Sequence, residues 1–110
     1  MAFQLGATLL DACVLAVLNK EDTYGYVLTQ NVRDVMDISE STLYPVLRRL
    51  QKEELLNTYD QPFQGRNRRY YSITELGRKK SGEYLLEWKD YKEKIDKIML
   101  GGTKNGNGNE

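Results

Sequence analysis

At 110 residues the chain is long enough for one domain with an adequate but not generous core. Its 16 Lys plus Arg balance its 16 Asp plus Glu, it has no histidine, and Cys13 is its single cysteine. Those counts exclude a Ser-His triad, a histidine metal site, a zinc finger and a disulfide framework. No uncharged stretch reaches the roughly 18 residues of a membrane span, and no charged start leads into a cleavage site. The expectation is a cytoplasmic protein without membrane partner, metal or cofactor.

The neutral total conceals a segregation. Residues 1–38 carry 2 cations and 5 anions, residues 39–80 carry 9 and 5, and residues 81–110 carry 5 and 6. A basic middle in a neutral chain is an electrostatic footprint for nucleic acid.

Residues 4–19 read as a first helix. Leu5, Leu9, Cys13, Ala16 and Val17 form one stripe, and Leu10, Val14, Leu15 and Leu18 extend it nearly all round. A helix apolar on most sides is buried on most sides, and a second chain is one way to cover it. Cys13 reads as a small core residue. After the polar break Asn19-Lys20-Glu21-Asp22, Asp22 or Thr23 can cap a second helix with Tyr24, Leu28, Val32 and Val35 in line. Gly25 in its first turn costs about 1 kcal/mol unless close packing offsets it.

The third helix starts near Ser39 or Glu40, with Ser39 as N-cap. Leu43, Val46, Leu47 and Leu50 are spaced i, i+3, i+4, i+7 as a buried stripe. Ser41, Tyr44, Pro45, Arg48 and Lys52 make the opposite face, hydroxyls first and cations later. Pro45 lacks an N–H for Ser41, a small loss so early in a helix. Such a helix can enter a DNA major groove N-terminus first; taken alone, it is equally a solvated amphipathic helix. Two helices joined by a short link, the second with a polar and basic face, form the helix-turn-helix pattern.

Next, Leu55–Tyr59 and Arg69–Ile73 are strand-like runs around the turn-rich segment 60–68, a β-hairpin pattern. Its tip carries Gly65, Arg66 and Arg68. An arginine-rich hairpin straight after a candidate recognition helix is a wing, able to lie against phosphates or the minor groove. Thr74 then caps a long helix to about Met99. Tyr84, Trp88, Tyr91, Ile95 and Ile98 fall in it as a coiled-coil seam. The seam can pack on the chain's own first helix or, with Leu9 and Cys13, on a second copy across a two-fold axis. Residues 101–110 contain no apolar side chain and read as a disordered tail.

Tyr24-Gly25-Tyr26, Ser41–Leu50 and Gly65–Gly77 (Gly-Arg-Asn-Arg-Arg-Tyr-Tyr-Ser-Ile-Thr-Glu-Leu-Gly) together resemble the PadR family of bacterial transcriptional regulators, over nearly the whole chain before the tail. Two positions depart from the family pattern: Glu54 where a glycine usually ends the recognition helix, and Asn67 where proline is common in the wing. The resemblance implies a mostly α fold with a small β-hairpin. It divides the chain into a winged-helix DNA-binding domain (1–74), a C-terminal dimerisation helix (75–100) and the tail, as in the short subfamily.

It further implies a homodimer, usually a repressor, on a pseudo-palindromic double-stranded operator. Ser41, Thr42 and Tyr44 would then face base edges or nearby phosphates; Arg48, Lys52, Gly65, Arg66 and Arg68 would hold the backbone. Arg49 lies between the helix faces. Trp88 resembles, by its place on the last helix, the tryptophan that stacks on flat aromatic effectors (drugs or phenolic compounds) in the short regulators. Its other reading is a filler of the dimer seam. A winged helix serving only protein interaction is the alternative of another class. An enzyme would have only carboxylates, Lys or Tyr for acid–base work, and no pair of them shows a pocket pattern.

Overall fold

The computed structural model describes residues 7–101. Leu5, residues 4–6 of the expected first helix, and the expected tail beyond Gly101 lie outside them. The described chain runs α1 (Ala7–Lys20), β1 (Thr23–Tyr24), α2 (Gly25–Arg33), α3 (Glu40–Lys52), β2 (Leu56–Phe63), β3 (Arg66–Ile73) and α4 (Glu75–Met99). The strands form one antiparallel sheet in the order β1-β3-β2. Four helices with a small three-stranded sheet are the α+β winged-helix arrangement.

The core lies where α1, α2 and α3 meet the base of the sheet. Leu10, Val14, Leu15 and Leu18 of α1 pack with Leu28 and Val32 of α2, Leu43, Leu47 and Leu50 of α3, and Leu55 and Leu56. The stripe of α1 placed first in the sequence reading, Leu9, Cys13, Ala16 and Val17, is therefore the half-buried to exposed side, and its broader flank is the core. Asp11 sits among these apolar side chains, 6 % exposed.

Three local expectations change. Thr23 does not cap α2: it is buried in β1 opposite Tyr71, and extended Tyr24 precedes the helix without a side-chain cap. A β-branched residue and an aromatic beside a free strand edge gain more from pairing than from starting a helix. Because α2 stops at Arg33, Val35 falls off the buried line and is 81 % exposed. The hairpin strands continue to Phe63 and Arg66, leaving only Gln64-Gly65 as the turn. Both turn residues have positive φ, 52° and 80°, as a two-residue type I′ connection requires. Pro62 is tolerated because β2 is an edge strand.

The end of α3 and the start of α4 interlock. Glu54 takes φ 65°, and the N–H groups of Glu54 and Leu55 donate to Gln51 O (3.0 Å) and Leu50 O (2.9 Å), a Schellman stop. Glu54 thus adopts the conformation glycine would supply. Thr74 Oγ1 donates to Glu54 O (2.7 Å) and accepts from the Gly77 N–H (2.9 Å), capping α4. Thr74 N–H donates to Leu55 O (3.1 Å). A Cβ on Gly77 would overlap the Leu55 carbonyl oxygen and lie 2.7 Å from Ile73 Cγ1. Arg78 adds a bond to Asn19 Oδ1 (2.6 Å) at the end of α1.

Two substitutions test this junction in opposite directions. Gly77→Ala is expected to destabilise by about 1–3 kcal/mol through overpacking against backbone. Glu54→Gly is expected to stabilise by about 1 kcal/mol by relieving a left-handed non-glycine residue. Urea unfolding midpoints at unchanged slope check both.

Candidate nucleic-acid interface

Ser39 is extended and leaves its hydroxyl free to accept from the Thr42 N–H (3.2 Å), so α3 begins where the sequence places it. The same oxygen lies 2.8 Å from Ser41 Oγ and 3.1 Å from Thr42 Oγ1. Three exposed hydroxyls therefore gather at the positive end of the α3 dipole, an arrangement that favours an anion such as a phosphate. The Ser39 side chain, read from sequence only as a cap, belongs to this cluster; its position within three residues of Ser41 and Thr42 was the available signal.

One turn on, Tyr44 and Pro45 are exposed, followed by Arg48 and Lys52 on the same side. Leu43, Leu47 and Leu50 are buried opposite, with Val46 half-buried at the margin. Tyr71 of β3 faces this surface: Tyr44 and Arg48 both act electrostatically on its phenol, and burial pushes that phenol up. Tyr71 was not singled out from sequence, because only the return of β3 beside α3 brings it there. Gly25 lies below, where an added Cβ would make ordinary contacts with Tyr71 (3.7 Å) and Tyr44 (4.0 Å). No close approach demands glycine at that position.

Arg49, ambiguous from spacing, turns inward. Its guanidinium donates to Asp11 Oδ1 at 2.6 Å and to Glu53 Oε2 at 3.4 Å. Tyr84 of α4 is close enough to feel Asp11, Arg49 and Glu53. Burial raises the Asp11 carboxyl above its ordinary value, while the Arg49 hydrogen bond and charge oppose that rise.

In the wing, Gly65 forms the turn and Arg66 opens β3, both exposed. Arg69 pairs with Asp60 directly opposite (3.3 Å). Arg68 is half-buried, its guanidinium carbon 3.7 Å from the Phe63 ring centroid and 4.1 Å from that of Tyr24. The structure therefore brings Ser41, Thr42, Tyr44, Arg48 and Lys52 to one face, with Gly65 and Arg66 at the wing tip, and sets Arg68 between rings.

The expected seam residues divide. Tyr84 is half-buried against the chain's own core, and Leu9 and Cys13 are half-buried on α1. Trp88 and Tyr91 are half-buried with ring centroids 6.2 Å apart. Ile95 is exposed and Ile98 is 76 % exposed. Among the described residues no three His, Cys, Asp or Glu side chains gather as a metal site. No described helix is long and apolar enough to cross a membrane.

A helix-turn-helix whose second helix presents a polar and basic face, followed at once by a β-wing, defines a winged-helix DNA-binding protein. Residues 14–83 match the model of the transcriptional regulator PadR-like family, and the chain belongs to that family. It is 40 % identical to smu.1704 of Streptococcus mutans, whose crystal structure superposes with a TM-score of 0.83 over 96 % of this chain and 100 % of that one. The PadR-like transcriptional regulator BC4206 of Bacillus cereus is 29 % identical, with a TM-score of 0.76 over 83 % of this chain and 91 % of its own. Transcriptional regulator Rv3488 of Mycobacterium tuberculosis is 35 % identical over 89 residues, 80 % of this chain and 79 % of that protein.

The sign of one pH effect follows from Asp11. A carboxyl raised on folding contributes stability that is fully present below its unfolded value and lost as pH rises through its folded value. Arg49→Met removes the hydrogen bond and the charge of Arg49, two of the three influences that hold Asp11 down, and leaves the charge of Lys80. The variant is expected to lose about 1–3 kcal/mol at pH 7, the low range reflecting the part-exposed arginine. That deficit should shrink as pH falls and Asp11 protonates in both proteins. Parallel urea titrations between neutral and acid pH read it directly.

Proposed function

We propose that this PadR-family chain acts as a homodimeric repressor. Each protomer sets the N-terminal half of α3 into a major groove of a pseudo-palindromic operator, with half-sites about 10 bp apart. Ser41, Thr42 and Tyr44 meet base edges or adjoining phosphates, Arg48 and Lys52 anchor the backbone, and the Gly65-Arg66 tip with Arg68 behind it follows the flanking strand. The observation that carries this reading is the single exposed face of α3, hydroxyls at its positive end and cations along its later turns.

Dimerisation is supported by what α4 leaves uncovered. Only Gly77 and Ser81 on that 25-residue helix are fully buried, while Leu86 is 68 % exposed and Leu85, Ile98, Met99 and Leu100 are all open. A helix with that much apolar surface needs a partner, and a second copy pairing α4 with α1 and α4 supplies one. Trp88, beside Tyr91, lies on this helix, and the reading places a planar aromatic effector against it, releasing DNA.

Two measurements test these parts. Binding to a duplex from the promoter region of the protein's own gene should weaken with salt at a log–log slope of about −7 to −9, from about four or five phosphate contacts per protomer. Arg48→Ala should flatten that slope by about two across the dimer; a flat dependence in the parent would instead favour a protein-interaction module. Trp88 is the only tryptophan, so its quenching by planar drugs and phenolic acids, together with loss of duplex, reports the effector. A Trp88→Ala dimer that keeps full response would remove Trp88 from that role.

A further inference from the structure

One face of the sheet carries a continuous array of rings. Tyr59 and Tyr70, paired across β2 and β3, stack at 5.4 Å and 11°. Tyr24, paired with Tyr70 from β1, meets it edge-on at 5.6 Å. Tyr59 Oη donates to Asp22 Oδ2 at 2.8 Å, which anchors the array at the link between α1 and β1. β1 pairs only with Tyr70 and Tyr71, so the hairpin beyond them projects as two strands. Two strands alone hold their direction poorly. Arg68 bridges that gap, lying between Tyr24 at the base and Phe63 beside the turn.

We propose that Arg68 is a positioning residue of the wing: its planar guanidinium, stacked between Tyr24 and Phe63, fixes the direction of the hairpin so that Arg66 at the tip meets the DNA backbone. This rests on the reading of the wing as a DNA-contacting element, and revises the part assigned to one of its arginines. Charge alone does not perform the role. Lysine keeps the charge but loses the flat surface that stacks on two rings. Leucine at position 63 keeps an apolar side chain but removes one of those rings.

The experiment compares Arg68→Lys, Phe63→Leu, their double variant and Arg66→Gln, by salt-dependent binding to the promoter duplex and by amide hydrogen exchange of the free protein. Arg68→Lys and Phe63→Leu should each weaken binding about five- to tenfold at unchanged salt slope. The double variant should be no weaker than the worse single one, because both break the same stack. Arg66→Gln should flatten the slope by about two for a dimer. In the free protein, amides of residues 60–68 should exchange faster in Arg68→Lys and Phe63→Leu, and at the parent rate in Arg66→Gln.

Parent-like affinity and exchange in Arg68→Lys would overturn the proposal and make Arg68 an ordinary phosphate contact. Failure of the parent to bind duplex would overturn the DNA-contact half of the statement and the functional reading with it. The exchange data would still decide whether Arg68 directs the hairpin.

Discussion

Thr74 uses its hydroxyl twice, donating to the carbonyl of Glu54 and accepting from the amide of Gly77. Those two bonds join the stop of α3 to the start of α4, across the base of the hairpin. Its own amide adds a third bond, to Leu55, and Gly77 permits all three by bringing no side chain against that carbonyl. The end of α3 and the start of the long C-terminal helix are thereby tied together through short hydrogen bonds of one residue, Thr74.

Adjacent arginines on α3 show how the helix period sends one side chain outward and the next inward. Arg48 points to solvent beside Tyr44 and Tyr71; Arg49, about 100° further round, reaches back to buried Asp11. The inward pair costs desolvation of Asp11, which the Arg49 hydrogen bond and charge offset while linking α3 to α1. With Tyr84 of α4 resting near the same pair, three helices meet at one polar contact on the margin of the apolar core.

Much of this was legible in one dimension. The i, i+3, i+4, i+7 spacing of Leu43, Val46, Leu47 and Leu50 placed α3, and Ser39 placed its first turn, because capping and amphipathicity are local. Thr74 marked the start of α4 for the same reason. The family follows from the Thr-Leu-Tyr-Pro helix and the Gly-Arg to Glu-Leu-Gly wing, both contiguous in the chain. The hairpin strands run further than sequence pattern implies, since Asp60 and Pro62 are turn formers that an edge strand also accommodates.

What chain order could not express was pairing between distant residues. Thr23 and Tyr24 became a strand only because β3 returns beside them, and that return also put Tyr71 under Tyr44. Arg68 read as a free cation at a tip until Tyr24 and Phe63 closed on it from two strands. Asp11 finds its partner in Arg49, 38 positions on, a pairing that spacing along the chain does not reveal. By itself the sequence determined the helical stretches, the caps of α3 and α4, the wing and the family, since each depends on neighbours within a turn or a hairpin. Tertiary structure decided which arginines face outward and which are held in place, because that depends on contacts whose energies are set by three-dimensional distance and not by separation along the chain.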